Sequence, residues 1–196
     1  MTSVLIIGGG GMIGQKLASS FSTNDSLTLL DIGFPNKNQS NARKIIGSVG
    51  DPEIIENSLK DLPEVIYYLA SVVSGEAEAD FSKGWDVNIH AFWAFLSLVK
   101  KLNEKSQGQY KPKIIFTSSI AVFGPPFPNQ IPDDFIAAPR TSYGAQKASC
   151  ELMLNDFSRK GFCEGLAIRL PTICVRPGKP NLAASSFFSG IIREPL

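Results

Sequence analysis

The sequence predicts an α/β fold in which helices cover both faces of a doubly wound parallel sheet of about six strands. Short apolar runs rich in Val, Ile and Leu alternate along the chain with amphipathic stretches of helical length, the pattern of repeated βαβ units. The first run, residues 4–7, leads directly into the glycines of the segment VLIIGGGGMIG. Continuous apolar strands are typical of a sheet that is buried on both faces.

The alternation places the individual elements. We predict strands at 4–7, 27–31, 43–46, 65–69, 114–117 and 166–169, and helices at 12–20, 52–59, 83–104 and 142–160. The last helix is predicted to begin at an N-cap of Thr141 or Ser142 and to stop at Gly161. Residues 124–140 contain five prolines and are predicted to form a long loop, a kind of segment that often carries function.

Composition limits the class of protein. A length of 196 residues and a hydrophobic content of 43% fit one compact domain. The net charge of +1 argues against a nucleic-acid partner. No apolar run reaches the roughly 20 residues that a membrane span needs, and the start of the chain lacks the basic region of a signal peptide. We therefore expect a cytoplasmic protein whose cysteines, Cys150, Cys163 and Cys174, are reduced thiols without a metal. The single histidine, His90, argues against a His-based triad or metal site.

The glycine segment predicts a dinucleotide site in a Rossmann fold. Gly8, Gly11 and Gly14 permit a tight turn, a close approach to a pyrophosphate and close packing of the following helix. Asp31 ends the next strand about 20 residues further on, where a carboxylate accepts both ribose hydroxyls and repels a 2′-phosphate. This favours NAD over NADP. The alternatives are an ordinary glycine loop and an ordinary turn residue before Gly33.

A second motif, YGAQK, predicts acid–base chemistry. Tyr143 and Lys147 are four residues apart and so share one face of the predicted helix. A phenol has a pKa near 10, and a neighbouring ammonium lowers this pKa towards neutrality. Ser118 and Ser119 follow a predicted strand and therefore lie at the carboxyl end of the sheet, where ligands bind in such folds. The alternative is a surface helix pair without a catalytic role.

Together these segments resemble the extended short-chain dehydrogenase/reductase family, which includes nucleotide-sugar epimerases and dehydratases. The matching segments are the spaced glycines, LAS at 69–71, DVN at 86–88, SSIAVFG at 118–124 and YGAQK at 143–147. The resemblance implies that Ser119 polarises the reacting oxygen, Tyr143 exchanges its proton, and Lys147 lowers the phenol pKa and binds the nicotinamide ribose. It implies these cofactor-binding residues: Gly8, Gly11, Met12, Ile13, Gly14, Asp31, Ser48, Val49, Leu69, Ala70, Ser71, Asn88, Tyr143, Lys147, Pro171 and Thr172.

More narrowly, VVSGEAEADF and RLPTICVRPGKPN look like the D-erythronate dehydrogenase branch, whose members oxidise a four-carbon sugar acid at C2 with NAD to the 2-keto acid. In that case Ser74, Ser119 and Tyr143 lie near the substrate. Arg176 is our choice for the substrate carboxylate, because a guanidinium binds carboxylates in a bidentate manner. The alternative for Arg176 is a surface cation in a proline-flanked loop.

Several alternatives remain open at this stage. A nucleotide-sugar epimerase would use the same three catalytic residues, and an inactive NAD-binding fragment is a third reading. Members of the family are longer, so we expect an NAD-binding domain at 1–170 and the start of a shortened substrate-binding region at 171–196. A homodimer is possible. His90, Phe92 and Trp93 are predicted to be helix or core residues rather than ligands.

Overall fold

The sheet contains six parallel strands. The computed structural model describes residues 2–35, 42–175, 183 and 186–193. Within these residues the strand order is β3-β2-β1-β4-β5-β6, and every neighbouring pair is parallel. This is the order of a doubly wound dinucleotide-binding sheet, so the predicted fold is confirmed. The strands are β1 (Ser3–Ile7), β2 (Ser26–Asp31), β3 (Arg43–Ile46), β4 (Val65–Tyr68), β5 (Lys113–Ser119) and β6 (Glu164–Leu170).

Seven α-helices accompany the strands in the described parts of the chain. They are α1 (Met12–Ala18), α2 (Pro52–Leu59), α3 (Ser74–Ala79), α4 (Phe81–Trp85), α5 (Ala91–Lys105), α6 (Ser142–Arg159) and α7 (Ser186–Arg193). One π-helical turn, Asp86–His90, joins α4 to α5, and a 3₁₀ turn, Ile120–Val122, follows β5. None of these helices has both the length and the apolar character needed to cross a bilayer.

Side-chain caps explain where the helices begin and end. The predicted helix 83–104 begins earlier, at Phe81, because the Asp80 carboxylate accepts a hydrogen bond from the Lys83 N–H at 2.9 Å. Helix α1 ends at Ala18 rather than at residue 20. There the hydroxyls of Ser19 and Ser20 donate to carbonyls of the preceding turn, both at 2.7 Å, a local bond that competes with continuation of the helix.

Helix α6 has the predicted boundaries to within one residue. The Thr141 hydroxyl accepts a hydrogen bond from the Gly144 N–H at 3.1 Å, so Thr141 is the N-cap. Gly161 follows the helix with a φ of +85°, a left-handed conformation that glycine adopts without strain. Two short helices, α3 and α7, were not predicted. The N-cap of α3 is Val73, whose side chain makes no capping bond, so the usual sequence signal is missing there.

The sheet is buried on both faces around β1. Leu5 and Ile7 face a large core under α2, α5 and α6, while Val4 and Ile6 face a smaller core that includes Ala18 of α1. Alternate residues of one strand therefore pack on opposite layers, as expected for a central parallel strand. Of the cysteines, Cys150 and Cys163 are buried and Cys174 is exposed, and none forms a disulfide.

Aromatic rings fill the larger core where α5 crosses β4 and β5. Phe92 is fully buried. Its ring centroid lies 4.8 Å from that of Tyr68 and 4.7 Å from that of Phe116, distances at which ring pairs attract each other. The next residue, Trp93, is 53% exposed and contacts the edge of Phe157. Both aromatics are helix-packing residues, as predicted, but Phe92 alone belongs to the centre of the core.

We predict that Phe92→Ala lowers the free energy of unfolding by about 3–5 kcal/mol, the usual cost of emptying a buried aromatic site. Urea denaturation followed by far-UV circular dichroism measures the change. Trp93→Ala is the matched control, since it removes a larger side chain from a half-exposed position one residue away, and we expect a clearly smaller loss. Equal losses for the two variants would contradict the assigned core.

Candidate active site

The main cavity lies at the carboxyl ends of the strands. It has a volume of about 480 Å³ and is bordered by the residues that follow β4, β5 and β6. Ligands bind at this edge in doubly wound folds, near the point where the strand order reverses. Here that point lies between β1 and β4. The lining residues are Ile13, Leu69, Ser71, Val73, Ser74, Thr117, Ser118, Ser119, Ile120, Ala121, Thr141, Tyr143, Lys147, Leu170, Pro171, Thr172, Ile173 and Ala183.

A second cavity, of about 280 Å³, lies over the glycine turn. Its walls include Gly8, Gly11, Met12, Ile13 and Gly14, so the glycine motif faces open space. The two cavities have five lining residues in common: Ile13, Leu69, Val73, Thr117 and Ile173. They are therefore neighbouring parts of one groove that runs from the glycine turn to the tyrosine.

The glycine turn is too tight for side chains. Gly8 has a φ of +93°, and a Cβ at this position would lie 2.7 Å from the Ala70 nitrogen. A Cβ at Gly14 would lie 2.2 Å from the Gly8 carbonyl oxygen, so α1 can approach the turn only because residue 14 is glycine. At Gly11 a Cβ would meet only the Gly8 carbonyl, at 3.4 Å. Because Gly11 lines the cavity, a side chain there would take up the room that a pyrophosphate needs.

Asp31 is tied to this turn. Its Oδ2 accepts a hydrogen bond from the Gly10 N–H at 2.9 Å, and the carboxylate therefore stands beside the glycines at the end of β2. This is the position from which a carboxylate meets the ribose of a bound dinucleotide. The shape of the turn, the adjoining cavity and the carboxylate together fit NAD.

Tyr143 and Lys147 project from the first two turns of α6 into the main cavity. Lys147 is 3% exposed. Its Nζ donates to the Thr117 carbonyl at 2.9 Å and lies 4.7 Å from the centroid of the Phe116 ring and 5.6 Å from that of Tyr143. Burial lowers the pKa of Lys147 to about 8, because removal from water disfavours the charged form. The amine is thus mainly an ammonium at neutral pH, held beside the phenol ring.

The two serines at the end of β5 have different partners. The Ser118 hydroxyl donates to the Glu151 carboxylate, so its proton is already engaged in a hydrogen bond. The Ser119 oxygen instead accepts a hydrogen bond from the Ala121 N–H at 3.1 Å, which leaves the Ser119 proton available for a ligand in the cavity. This geometry favours Ser119 as the donor to a reacting oxygen.

An ion pair supports this end of the sheet from behind. The guanidinium of Arg169 on β6 binds both carboxylate oxygens of Glu151, at 3.0 and 2.8 Å. It also lies 4.8 Å from the centroid of the Phe123 ring, within the range of a cation–π contact. Two strands, α6 and the residue just before the proline-rich loop are therefore joined next to the cavity.

Five of the predicted cofactor residues line neither cavity, and one of them is Asp31, described above. Asn88 is 4% exposed, and its amide bonds Val72 and Gln146, so it supports the groove without facing it. Ser48 is exposed on the turn after β3, where its Oγ accepts from the Gly50 N–H, and neighbouring Val49 is buried. Ala70 donates its N–H to the Ile7 carbonyl at 3.1 Å and borders the glycine turn.

One predicted residue, Arg176, lies outside the described residues. The other predicted residues of the catalytic and substrate sets, Ser74, Ser119, Tyr143 and Lys147, meet in the main cavity together with Pro171 and Thr172. The sequence did not predict three residues that line both cavities. These are the apolar residues Val73 and Ile173 and the threonine Thr117. Of these only Thr117 had a usable signal, because it precedes the two serines at the tip of a strand.

Known proteins share this architecture over nearly the whole chain. The profile described as the NAD dependent epimerase/dehydratase family matches residues 4–194. The chain belongs to the NAD-dependent epimerase/dehydratase family. This confirms the predicted family, and with it NAD as the predicted cofactor.

Individual relatives of the family cover the same span. A D-erythronate dehydrogenase of Cupriavidus necator is 43% identical over 99% of this chain and 62% of its own length. One of Haemophilus influenzae is 41% identical over 98% of this chain and 62% of its own length. The crystal structure of a nucleoside-diphosphate-sugar epimerase of Agrobacterium tumefaciens has a TM-score of 0.88 and 45% identity, covering 99% of this chain and 60% of that one. The chain thus spans about three fifths of these relatives. The two dehydrogenases agree with the predicted resemblance to the D-erythronate dehydrogenase branch.

The buried ammonium predicts a pH-dependent stability. The folded-state pKa of Lys147, about 8, lies below its ordinary value of 10.5. Between these values the unfolded chain binds more protons than the folded protein, so Lys147 makes the free energy of unfolding rise with pH in this window. We expect Lys147→Met to lack this rise. Between pH 7 and pH 10 the free energy of unfolding of the original protein should therefore increase, relative to that of the variant, by on the order of 2 kcal/mol.

Urea denaturation at a series of pH values measures this difference. Lys100→Met is the matched control, because Lys100 lies on the surface of α5, where it pairs with Glu104 and remains 40% exposed. The difference in the free energy of unfolding between Lys100→Met and the original protein should stay nearly constant between pH 7 and pH 10. Parallel curves for Lys147→Met and the original protein would show that residue 147 carries no buried charge.

Proposed function

We propose that this chain carries the NAD-binding and catalytic half of a dehydrogenase that oxidises a small sugar acid, of the D-erythronate type, at its C2 hydroxyl to the 2-keto acid. One observation supports this most strongly. Ser119, Tyr143 and Lys147 line one cavity that shares five residues with the cavity over the glycine turn. Residues 1–170 form the cofactor-binding part in this proposal, and 171–196 begin the substrate-binding part. The active protein is proposed to be cytoplasmic and homodimeric.

The chain's own residues supply binding and proton transfer. The glycine turn and Asp31 hold the dinucleotide, and NAD, when bound, supplies the hydride acceptor. Tyr143 removes the proton of the C2 hydroxyl, and Ser119 donates a hydrogen bond to the same oxygen as it becomes a carbonyl. Lys147 keeps a positive charge beside the phenol ring, which favours the phenolate form of Tyr143. Its burial excludes water that would screen this charge.

The cavity wall suits a small polyhydroxylated substrate. Seven hydroxyl side chains line it in addition to the phenol: Ser71, Ser74, Thr117, Ser118, Ser119, Thr141 and Thr172. Such groups both donate and accept hydrogen bonds, as the hydroxyls of a sugar acid require. Among the described lining residues Lys147 is the cation, and it sits at the phenol end. For the substrate carboxylate we propose Arg176 as the partner, because a guanidinium binds carboxylates in a bidentate manner.

A second candidate is a nucleotide-sugar epimerase. The similar Agrobacterium tumefaciens structure bears that name and is 45% identical, and the same serine, tyrosine and lysine would serve. The two functions differ in the fate of the hydride. A dehydrogenase releases NADH, whereas an epimerase returns the hydride and shows no net reduction of NAD.

The deciding experiment is a screen of four-carbon sugar acids with NAD, followed by NADH absorbance. It is best carried out on this chain and on a form extended by the C-terminal part of the Cupriavidus necator relative. NADH formation from an erythronate isomer would support the proposal. Tightly held NAD without net reduction, together with conversion of a nucleotide sugar, would support the epimerase instead.

We predict that Tyr143→Phe lowers turnover by about 10²–10⁴-fold, the range of general acid–base catalysis, because only the proton-carrying oxygen is lost. The affinity for NAD should stay within about twofold, since the ring and its neighbours remain. NADH absorbance and calorimetric NAD titration measure the two quantities. Tyr110→Phe is the control, because its buried hydroxyl bonds the Pro63 carbonyl, away from both cavities. Full turnover by Tyr143→Phe would remove the tyrosine from the mechanism.

We predict that Asp31→Ser weakens NAD binding and lowers the preference for NAD over NADP by roughly tenfold or more, because the carboxylate that meets the ribose hydroxyls and repels a 2′-phosphate is gone. Calorimetric titration with both dinucleotides measures the preference. Asp25→Ser is the control, since Asp25 lies just before the opposite end of the same strand and bonds Thr2. An unchanged preference in Asp31→Ser would rule out this role for Asp31.

A further inference from the structure

We propose that Gln146, which lines neither cavity, is a positioning residue that fixes the loop between β4 and α3 through Asn88. The consequence for the dinucleotide rests on the proposed function, whereas the positioning itself does not. The loop is residues 69–73. It includes Leu69 and Val73, which lie in the wall common to both cavities.

The middle of this loop is held by a side chain rather than by a neighbouring strand. Strand β4 ends at Tyr68. Beyond it the Val72 N–H donates to Asn88 Oδ1 at 2.8 Å, and the Val72 carbonyl accepts from Asn88 Nδ2 at 3.2 Å. The Ser71 hydroxyl donates to the same carbonyl at 2.9 Å. Val72 is 7% exposed, and a buried peptide group without partners is costly. The Asn88 amide therefore supplies the hydrogen bonds that a neighbouring strand would supply within the sheet.

Gln146 helps to hold the Asn88 amide in its orientation. Gln146 is fully buried, and its Oε1 accepts from Asn88 Nδ2 at 2.7 Å. Nitrogen and oxygen of an amide differ in that only the nitrogen donates. If the Asn88 amide turned over, its oxygen would face the Gln146 oxygen and its NH₂ group would face the Val72 N–H. The Gln146 oxygen therefore accepts from the Asn88 amide in the same orientation that satisfies both polar groups of Val72, and so reinforces that orientation.

Residues of α4 and α6 around Gln146 and Asn88 fit closely to this contact. A Cβ on Gly84 of α4 would lie 2.7 Å from Gln146 Nε2, so a larger residue at position 84 would displace the amide. The Cys150 thiol, one turn further along α6, donates to the Asn88 carbonyl at 3.1 Å. Asn88 is thus held by α6 at both its side chain and its backbone. The helix that carries Tyr143 and Lys147 is in this way coupled to the loop that closes the groove.

The direct test is hydrogen exchange at the Val72 amide, which needs no cofactor. Gln146→Met keeps the length of the side chain but removes the acceptor, and we expect the Val72 amide to exchange roughly tenfold faster or more. Asn103→Leu is the matched control. It removes another buried amide, which bonds the Tyr110 carbonyl at 2.8 Å near the far end of α5, and it should leave Val72 unchanged. Unchanged exchange in Gln146→Met would overturn the proposal.

Calorimetric NAD titration then tests the consequence. Gln146→Met should bind NAD roughly tenfold more weakly than the original protein. The affinity of Asn103→Leu for NAD should stay within about twofold of the original, even if this variant lowers the melting temperature as much as Gln146→Met does. If the original protein itself fails to bind NAD, the proposed function is wrong, but the exchange result still decides the role of Gln146. If Gln146→Met does not fold, Gln146→Ala removes the same acceptor without adding atoms. Slow Val72 exchange in that variant would equally overturn the proposal.

Discussion

The site depends on the burial of one ammonium. Lys147 lies at 3% exposure between the end of β5 and α6, with its Nζ on the Thr117 carbonyl and over the Phe116 ring. Burying a charge is unfavourable unless partners compensate it, and the lowered pKa of this lysine expresses that cost. The core around Phe116 must therefore be rigid enough to hold the amine in place. The aromatic packing of α5 against β4 and β5 provides this rigidity.

The sequence predicted the framework well because parallel strands and turn glycines have strong local signals. All six strands were located to within a few residues, since buried strands are continuous apolar runs. The glycine turn was recognised because its steric demands leave no alternative residue at Gly8 or Gly14. Helix α3 was not predicted because it has only six residues, too few to show a helical pattern of apolar positions, and because its N-cap, Val73, makes no side-chain capping bond.

Helix α6 shows where pattern reasoning stops. Apolar positions are normally assigned to the buried face, yet on α6 Leu152 is 72% exposed while Gln146 and Lys147 are 0% and 3% exposed. The partners of these two buried groups come from β5 and from the π-helical turn, segments 30 and 58 residues away in the chain. No local pattern contains such contacts. The motif YGAQK led to the proposed roles of its first and last residues but gave no hint of the burial of the glutamine between them.

One stripe of α6 gathers these functions. Tyr143, Gln146, Lys147, Cys150 and Glu151 follow the spacing i, i+3, i+4, i+7 and i+8, which places them along one side of the helix. The phenol faces the cavity, the amide and the thiol hold Asn88, the amine lies under the phenol, and the carboxylate engages Ser118. Because the Ser118 hydroxyl donates its hydrogen bond to Glu151, Ser119 is left as the serine that can donate to a ligand. A displacement of α6 along its axis would therefore move the phenol and the amine and would at the same time disturb the contacts of this helix with Asn88 and Ser118.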